Sequence, residues 1–160
     1  MNIRDAATSD AEAICVIYNQ HVRNTIVTFE EVDVTPTDMQ TRIANIAAAF
    51  PWLIVERDGK CAGYAYAAKW QDRSAYRHSV LTTIYLDEAA RRQGVGTALY
   101  LTLLEKLRTR AIHTALGGIS LPNAASVALH EKCGFKKVAH FDQVGVKFGR
   151  WIDGYWQLML

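Results

Sequence analysis

A strand-like run that leads through a glycine-containing loop into an amphipathic helix constrains this chain more than any other feature. The run is Ser79 to Leu86, and the loop is Arg91-Arg92-Gln93-Gly94-Val95-Gly96. A helix is predicted over residues 94 to 110, with an apolar residue every four positions at Val95, Leu99, Leu103 and Leu107. Because such a helix must bury its apolar face, a strand that precedes it favours a domain mixing sheet and helices.

The rest of the chain supplies further elements of both kinds. Strands are predicted at residues 1–4, 52–56, 62–67 and 115–121, and two more within 135–160 around a loop with Gly145, Gly149 and Gly154. Helices are predicted at about 9–22, with Thr8-Ser9-Asp10 as N-cap, from Thr35 to before Pro51, and at 123–132, with Gly134 as C-cap. Asp58-Gly59 between two apolar runs indicates a hairpin. The order β-α-α-β-β-β-α-β-α-β-β predicts one mixed α/β domain over residues 1–160.

Composition excludes several classes of protein. Half of the 160 residues are hydrophobic and the net charge is only +2, so a globular domain is expected rather than a nucleic-acid-binding one. Three cysteines at wide spacing, without a CxxC pair, argue against a disulfide framework or a metal site and favour a reduced, cytoplasmic setting. The longest apolar stretch falls short of the roughly 20 residues that a membrane-spanning helix needs.

The loop at residues 91–96 suits a phosphate group. Glycines let successive backbone N–H groups point toward one place, and a helix N-terminus behind them adds unpaired donors and a positive dipole end. Arg91 and Arg92 would add charge-assisted hydrogen bonds. The alternative is a tight strand-to-helix turn with exposed arginines. The spacing matches neither a Walker loop nor the dinucleotide fingerprint.

A second segment helps to decide between a phosphate-binding loop and a simple turn. Leu121-Pro122-Asn123 begins a predicted helix that ends in Glu131-Lys132-Cys133-Gly134-Phe135. This segment and the preceding Arg-x-x-Gly-x-Gly loop together resemble the two acetyl-CoA signatures of the GNAT acetyltransferase superfamily. Over nearly its whole length the chain is similar to the phosphinothricin and methionine sulfoximine N-acetyltransferase branch, at Phe50-Pro51-Trp52-Leu53, Ala75-Tyr76, Thr83-Ile84-Tyr85, Leu129-His130-Glu131, Gly149-Arg150-Trp151 and Tyr155-Trp156-Gln157-Leu158.

The resemblance implies a fold, an activity and a cofactor site. We expect a GNAT-like domain with a central, mostly antiparallel, twisted sheet flanked by about four helices. We expect a cytoplasmic homodimer that acetylates the α-amine of a small amino-acid-like substrate from acetyl-CoA, without a metal. The implied cofactor-binding residues are Ile84, Tyr85, Leu86, Arg91, Arg92, Gln93, Gly94, Val95, Gly96, Thr97, Asn123 and Ser126. Asn123 also suits a helix N-cap.

The resemblance also implies catalytic and substrate-binding residues. The catalytic set is His130, in the position of the acid that protonates the leaving thiolate, with Tyr85 and Thr83; His78 is added as a candidate base from its place beside the same strand. The substrate set is Phe29, Glu30, Arg73, Tyr76, Arg77 and Leu81. Leu81 departs from the branch, which has a glutamate there as base. Two alternatives follow from this departure. In the first, His78, Glu30 or His130 deprotonates the amine, or the amine enters already neutral. In the second, the enzyme is slow or uses another acceptor.

Two other functions remain open at this point. Acetylation of a protein N-terminus or lysine would require an open peptide groove. A non-catalytic or weakly active acetyl-CoA-binding module would follow if the missing carboxylate at Leu81 abolished the chemistry.

Overall fold

One seven-stranded sheet and four helices account for most of the structure, a computed structural model that describes the backbone of residues 1–159 and the side chains of residues 1–154. The strands are β1 (Asn2–Asp5), β2 (Trp52–Arg57), β3 (Lys60–Lys69), β4 (Ser79–Leu86), β5 (Thr114–Leu121), β6 (Lys136–Lys147) and β7 (Arg150–Met159). The helices are α1 (Ala11–Asn24), α2 (Pro36–Ala47), α3 (Val95–Arg108) and α4 (Ala124–Lys132). The predicted order of elements is confirmed; Leu160, within the range predicted for the last strand, lies outside the described residues.

The sheet has the order β1-β2-β3-β4-β5-β7-β6, and its neighbours are antiparallel except for β4 and β5. The prediction of a mostly antiparallel sheet in a mixed α/β fold is therefore confirmed. The parallel pairing of β4 with β5 covers only Ser79–Thr82 and Thr114–Gly117. Both strands continue beyond that point, so their C-terminal halves face one another without a ladder between them.

Helices cover both faces of the sheet. The α3 residues predicted as its apolar face, Val95, Leu99, Leu103 and Leu107, are at most 2% exposed and pack with Val80 of β4. On the other face, Ile14 of α1 and Ile43 of α2 pack against Ile54 and Tyr64. Side chains alternate between the two cores along each strand, as a pleated sheet requires. None of the described helices meets the length and apolarity needed to cross a membrane.

Two predictions about local structure need correction. The Asp58–Gly59 turn forms as expected, with positive φ at both residues (50° and 75°). However, Gly145 lies inside β6 and Gly154 inside β7, because Phe148 and Gly149 alone make the turn between them, with φ of 51° and 69°. A Cβ atom at Gly145 would come within 2.3 Å of the Phe29 ring, so a larger residue there would displace that ring.

The start of α1 also differs from the prediction. Residues Thr8–Asp10 form a short 3₁₀ turn, and α1 begins only at Ala11, without a side-chain cap. The Asp10 carboxylate instead accepts hydrogen bonds from the backbone N–H of Ala7 at 2.8 Å and from the guanidinium of Arg4 at 2.8 Å. Because Arg4 binds the Asp10 carboxylate, this side chain does not cap α1 as predicted.

Candidate active site

A cleft of about 700 Å³ opens where β4 and β5 part. Its walls are the backbone and side chains of the unpaired halves of these strands, and the N-terminal turns of α3 and α4 close one side. Its lining residues are His21, Thr25, Val27, Thr82, Thr83, Ile84, Tyr85, Leu86, Arg91, Arg92, Gly94, Gly96, Thr97, Gly118, Ile119, Ser120, Asn123, Ala125, Ser126, Ala128, Leu129, His130 and Lys132. Ten of the twelve residues predicted to bind the cofactor lie in this lining; the exceptions are Gln93 and Val95.

The loop at one end of the cleft has the geometry of an anion site. Gly94 is the N-cap of α3 and has a φ of 77°, which places it in the left-handed region that favours glycine. The first-turn N–H groups of α3 have no intrahelical carbonyl to bind, and Arg91 and Arg92 lie beside them. Gln93 points away, since its amide donates to the Ala89 carbonyl at 2.7 Å, and the Val95 side chain is buried in the core. These two residues can therefore contribute only backbone groups.

The inner edge of β4 forms the middle of the cleft. Ile84, Tyr85 and Leu86 are paired with β3 on one side and face the cleft on the other. Free backbone groups along such an edge can bind an extended chain as an added strand would. The Tyr85 ring packs edge-on against Tyr18, at 5.1 Å between centroids. Burial raises the pKa of Tyr85 well above its ordinary value, so its hydroxyl stays protonated.

His130 is buried, and both of its ring nitrogens are hydrogen-bonded. Nδ1 lies 2.8 Å from the Ser126 carbonyl oxygen, and Nε2 lies 3.0 Å from the Tyr100 hydroxyl. Because a carbonyl oxygen only accepts, Nδ1 carries the proton of the neutral ring. Burial lowers the pKa of His130, and the bond to Ser126 offsets this only partly, so the imidazole is neutral at pH 7. At Gly117 of β5 a Cβ atom would come within 2.5 Å of Nε2, so this close approach requires glycine.

Asn123 and Ser126 meet at the start of α4. The Asn123 side chain accepts a hydrogen bond from the Ser126 N–H at 3.2 Å, which makes Asn123 the N-cap of the helix. Both residues also line the cleft. The cap therefore fixes the Asn123 side chain at the cleft wall, and a ligand role for it stays a prediction.

The predicted substrate residues lie outside the lining of this cleft. Phe29 and Glu30 are in the loop between α1 and α2, where Phe29 packs on β6 and Glu30 pairs with Arg42 at 2.7 Å. Arg73, Tyr76 and Arg77 are exposed or half-buried in the loop between β3 and β4. Leu81 is half-buried on β4, beside Ala68 and Leu116 of the flanking strands.

His78 is also remote from the cleft lining. It is exposed just before β4, and its Nδ1 lies 2.9 Å from the Ala111 carbonyl oxygen. This position gives no support to a catalytic role. Thr83, by contrast, lines the cleft one residue beyond the last β4–β5 pair.

Several cleft residues carry no signal in the sequence that separates them from the core. His21 lies at helical spacing with buried residues of α1, and Thr82 alternates with apolar residues along β4. In the structure the His21 Nε2 donates to the Leu86 carbonyl at 3.2 Å, at the end of β4. Thr82 lies at the point where the strands part and bonds to Tyr100 at 2.7 Å. Only the pairing of β4 with β5 reveals that these residues border a cleft.

One group of potential metal ligands lies elsewhere, on β6 and β7. His140, Asp142 and Asp153 place ligand atoms within 4.8 Å of one another. His140 Nε2 already lies 3.1 Å from Asp153 Oδ2 and 3.3 Å from Asp142 Oδ1. The three side chains satisfy one another, and none lines the cleft.

Residues 3–156 match the family described as the acetyltransferase (GNAT) domain. Phosphinothricin N-acetyltransferase of Alcaligenes faecalis is 40% identical over 153 residues, which span 94% of this chain and 78% of the relative. L-methionine sulfoximine/L-methionine sulfone acetyltransferase of Pseudomonas paraeruginosa is 35% identical and covers 95% of this chain and 90% of its own.

Solved structures show the same relationship. Ribosomal-protein-alanine N-acetyltransferase from Brucella melitensis superposes with a TM-score of 0.97 at 35% identity, covering 100% of this chain and 99% of that one. A phosphinothricin acetyltransferase from Sinorhizobium meliloti in complex with acetyl-CoA gives 0.95 at 31% identity, covering 99% and 86%. The chain therefore belongs to the GNAT acetyltransferase family, and it is an N-acetyltransferase with acetyl-CoA as its co-substrate.

Proposed function

We propose that this enzyme acetylates the α-amine of a small amino-acid-like acceptor of the phosphinothricin, methionine sulfoximine or methionine sulfone type. Relatives with these names are 40% and 35% identical to it over most of both chains. The observation that carries the proposal is the parting of β4 from β5 after Thr82 and Gly117. It opens a cleft that leads from the Arg91 loop to the place where the strands meet.

The parts of this cleft match the parts of acetyl-CoA. The α3 N-terminus, Arg91 and Arg92 hold the pyrophosphate by backbone N–H groups and positive charge. The inner edge of β4 from Ile84 to Leu86 binds the pantetheine arm, and Asn123 and Ser126 steady it from the opposite wall. The thioester then lies near Thr82, where the strands meet.

The acceptor enters from the side of the sheet that carries α1 and α2, and its amine reaches the thioester in the opening between β4 and β5. Leu81, Thr83 and Tyr85 alternate onto this face of β4. Arg73 and Arg77, in the loop that precedes β4, bind the acceptor carboxylate, since a guanidinium pairs with a carboxylate through two parallel hydrogen bonds. Tyr76 packs edge-on against Trp70 at 4.9 Å and shapes the same loop. Phe29 and Glu30 border the pocket from the α1–α2 loop.

The reaction forms a C–N bond and breaks a C–S bond, while the nitrogen loses a proton and the sulfur gains one. His130 is the acid–base group of the cleft, and Thr83 and Tyr85 position the reacting groups. Leu81 has no proton to exchange where a carboxylate base would stand. Because a general base contributes typically about 10²–10⁴-fold, its loss slows turnover and does not abolish it.

We also propose that the enzyme is a cytoplasmic homodimer. An apolar surface on β6 and the adjoining turn and strand includes Val144, Val146, Phe148 and Trp151, which are 47–65% exposed. β6 is also an edge strand of the sheet. Large apolar surfaces and open edges are typical of interfaces. The three cysteines are free, which suits a reducing compartment.

Two other functions have specific support. The name of the Brucella melitensis structure favours acetylation of a protein N-terminal alanine, and Leu81 favours a weakly active acetyl-CoA-binding module.

A turnover screen separates these functions. Purified enzyme and acetyl-CoA are mixed with phosphinothricin, methionine sulfoximine, methionine sulfone, common amino acids or a peptide with an N-terminal alanine, and thiol release is followed. We expect release to depend on at least one small acceptor. Preference for the peptide would overturn the proposed substrate class. Thermal stabilisation by acetyl-CoA without release for any acceptor would favour the binding module.

A further inference from the structure

A buried chain of hydrogen bonds connects three elements beneath the point where β4 and β5 part. The hydrogen-bond chain runs between two backbone carbonyls and has four contacts. Thr82 Oγ1 lies 2.9 Å from the Leu116 carbonyl oxygen and 2.7 Å from Tyr100 Oη. His130 Nε2 lies 3.0 Å from Tyr100 Oη, and His130 Nδ1 lies 2.8 Å from the Ser126 carbonyl oxygen. Thr82, Tyr100 and His130 are each at most 3% exposed. Solvent therefore does not compete for these bonds.

The hydrogen-bond chain is one proton short when Thr82, Tyr100 and His130 are all neutral. Each contact needs one proton, and the carbonyl oxygens at the two ends bring none. Neutral Thr82, Tyr100 and His130 supply one proton each for the four contacts. A further proton on His130 lets Nε2 donate to Tyr100, Tyr100 donate to Thr82, and Thr82 donate to the Leu116 carbonyl. Protonation of His130 thus completes the chain.

Among the described residues, no charged side chain is a cause of the shift in the pKa of His130. Burial lowers this pKa, and the hydrogen bond to the Ser126 carbonyl raises it. Outside the hydrogen-bond chain, the titratable group that acts on Tyr100 is Cys133, after α4. Phe135 packs on the imidazole at 5.0 Å, and β5 presents only the backbone of Gly117. Besides the Ser126 carbonyl, the proton count of the hydrogen-bond chain is the local feature that favours the charged ring.

We propose that Thr82 and Tyr100 are positioning residues that make His130 a temporary store for the proton moved during acetyl transfer. This inference rests on the proposed function. The amine nitrogen gives up a proton at Thr82 Oγ1, the Thr82 proton passes to Tyr100, and the Tyr100 proton passes to His130 Nε2. The reverse sequence returns one proton to the sulfur as the C–S bond breaks. No oxidant, metal or further reactant is needed, and the chain supplies the proton acceptor that Leu81 cannot.

Kinetics of hydroxyl-deleting variants test the proposal. Tyr100→Phe keeps the ring that stacks on Phe135 at 5.5 Å and removes only the hydroxyl. With methionine sulfone as acceptor, we expect kcat to fall about 10²-fold or more, while the KM for acetyl-CoA changes less than about threefold. Thr82→Val should have the same effect, and Thr82→Ser should restore most of the activity. The matched control is Tyr64→Phe, since Tyr64 is also buried but lies in the other core.

A double variant tests whether Tyr100 and His130 act along one proton path or contribute to turnover independently. Tyr100→Phe combined with His130→Asn should be no slower than His130→Asn alone, because either change interrupts the same path. A loss equal to the product of the two single losses would overturn the proposal. So would a Tyr100→Phe enzyme whose kcat stays within about threefold of the wild type.

Nuclear magnetic resonance of protein with ¹⁵N-labelled histidine tests the chain without turnover. We expect neutral His130 to be protonated at Nδ1, and Tyr100→Phe to lower its pKa further, because a protonated Nε2 would then lack an acceptor. An unchanged or higher pKa would overturn the proposal. If the wild type acetylates no small acceptor, the proposed function fails, whereas the pKa comparison still decides whether the chain favours the charged ring.

Discussion

The carboxylate of Glu30 is held by the guanidinium of Arg42, with 2.7 Å between Nη1 and Oε1 and 3.1 Å between Nη2 and Oε2. Tyr18 donates a further hydrogen bond at 3.0 Å. Burial alone raises the pKa of Glu30, but the bonds from Arg42 and Tyr18 outweigh it and leave the pKa below its ordinary value. Glu30 is thus ionised but engaged by Arg42 and Tyr18, and it is a poor substitute for the carboxylate base that the resemblance leads us to expect at position 81.

Restoring a carboxylate at position 81 should speed the reaction. Leu81 is half-buried on the face of β4 proposed to bind the acceptor. We expect Leu81→Glu to raise kcat/KM about tenfold or more at pH 7 for the best acceptor of the amino-acid panel, since general bases contribute about 10²–10⁴-fold. Leu81→Gln is the matched control, because it has nearly the same shape and no proton-accepting carboxylate. Equal rates for Leu81→Glu and the wild type across the panel would show that no base is missing.

Removing positive charge from the loop before α3 should weaken cofactor binding specifically. Because a hydrogen bond to a charged group contributes about 1.5–3 kcal/mol, we expect Arg91→Gln to raise the Kd for acetyl-CoA by about 10- to 100-fold. Arg92→Gln should act in the same direction, and the difference from wild type should shrink at high salt. Isothermal titration calorimetry measures both effects.

The control for this measurement is Arg108→Gln. Arg108 lies at the other end of α3, where it pairs with Glu105 at 2.7 Å. Equal losses of affinity in Arg108→Gln and Arg91→Gln would mean that overall charge, and not the loop, attracts the cofactor.

Local sequence signals were sufficient to predict the main elements around the cleft. The apolar run of β4 has the predicted bounds, Ser79–Leu86, and the four-residue repeat places α3 within two residues at each end. Both signals depend on residues close together in the chain, which determine strand alternation and helix periodicity. The Asp58–Gly59 turn is predictable for the same reason.

The internal connections of the site depend on tertiary packing and had no such signal. Thr82 and Tyr100 are separated by 18 residues and Tyr100 and His130 by 30, yet their polar atoms meet in one buried chain. In the sequence, Tyr100 resembles any other buried residue of α3. The register in which β4 meets β5 brings Thr82 opposite Gly117, and neither strand encodes that register alone.

Two buried histidines should make the fold sensitive to mild acid. Burial lowers the folded-state pKa of both His21 and His130 below the ordinary value of 6.5. Below pH of about 6.5 the unfolded chain binds protons that the folded chain resists, so the free energy of unfolding falls as the pH drops toward the folded-state pKa. The expected slope is at most about 1.4 kcal/mol per pH unit for each histidine. Above that window the two histidines contribute no slope.

Urea unfolding between pH 5 and 8 measures this dependence while most carboxylates remain ionised. We expect His21→Gln to reduce the slope and His113→Gln, at an exposed position, to leave it unchanged. A free energy of unfolding that stays constant from pH 8 to 5 would contradict the assignment of neutral buried rings.

The apolar surface on β6 should determine the oligomeric state. Val146 and Trp151 are 47% and 65% exposed, and they are cross-strand partners on β6 and β7. A charge placed at Val146 appears twice in a two-fold symmetric interface, where burial without a partner costs about 3–5 kcal/mol. We therefore expect Val146→Glu to weaken the dimer at least about 100-fold.

Sedimentation equilibrium should give twice the chain mass of 17.9 kDa for the wild type and one chain mass for the variant. Val16→Glu, at a 58% exposed position on α1, is the matched control and should remain dimeric. A monomeric wild type, or a variant that sediments like it as a dimer, would exclude this surface as the interface.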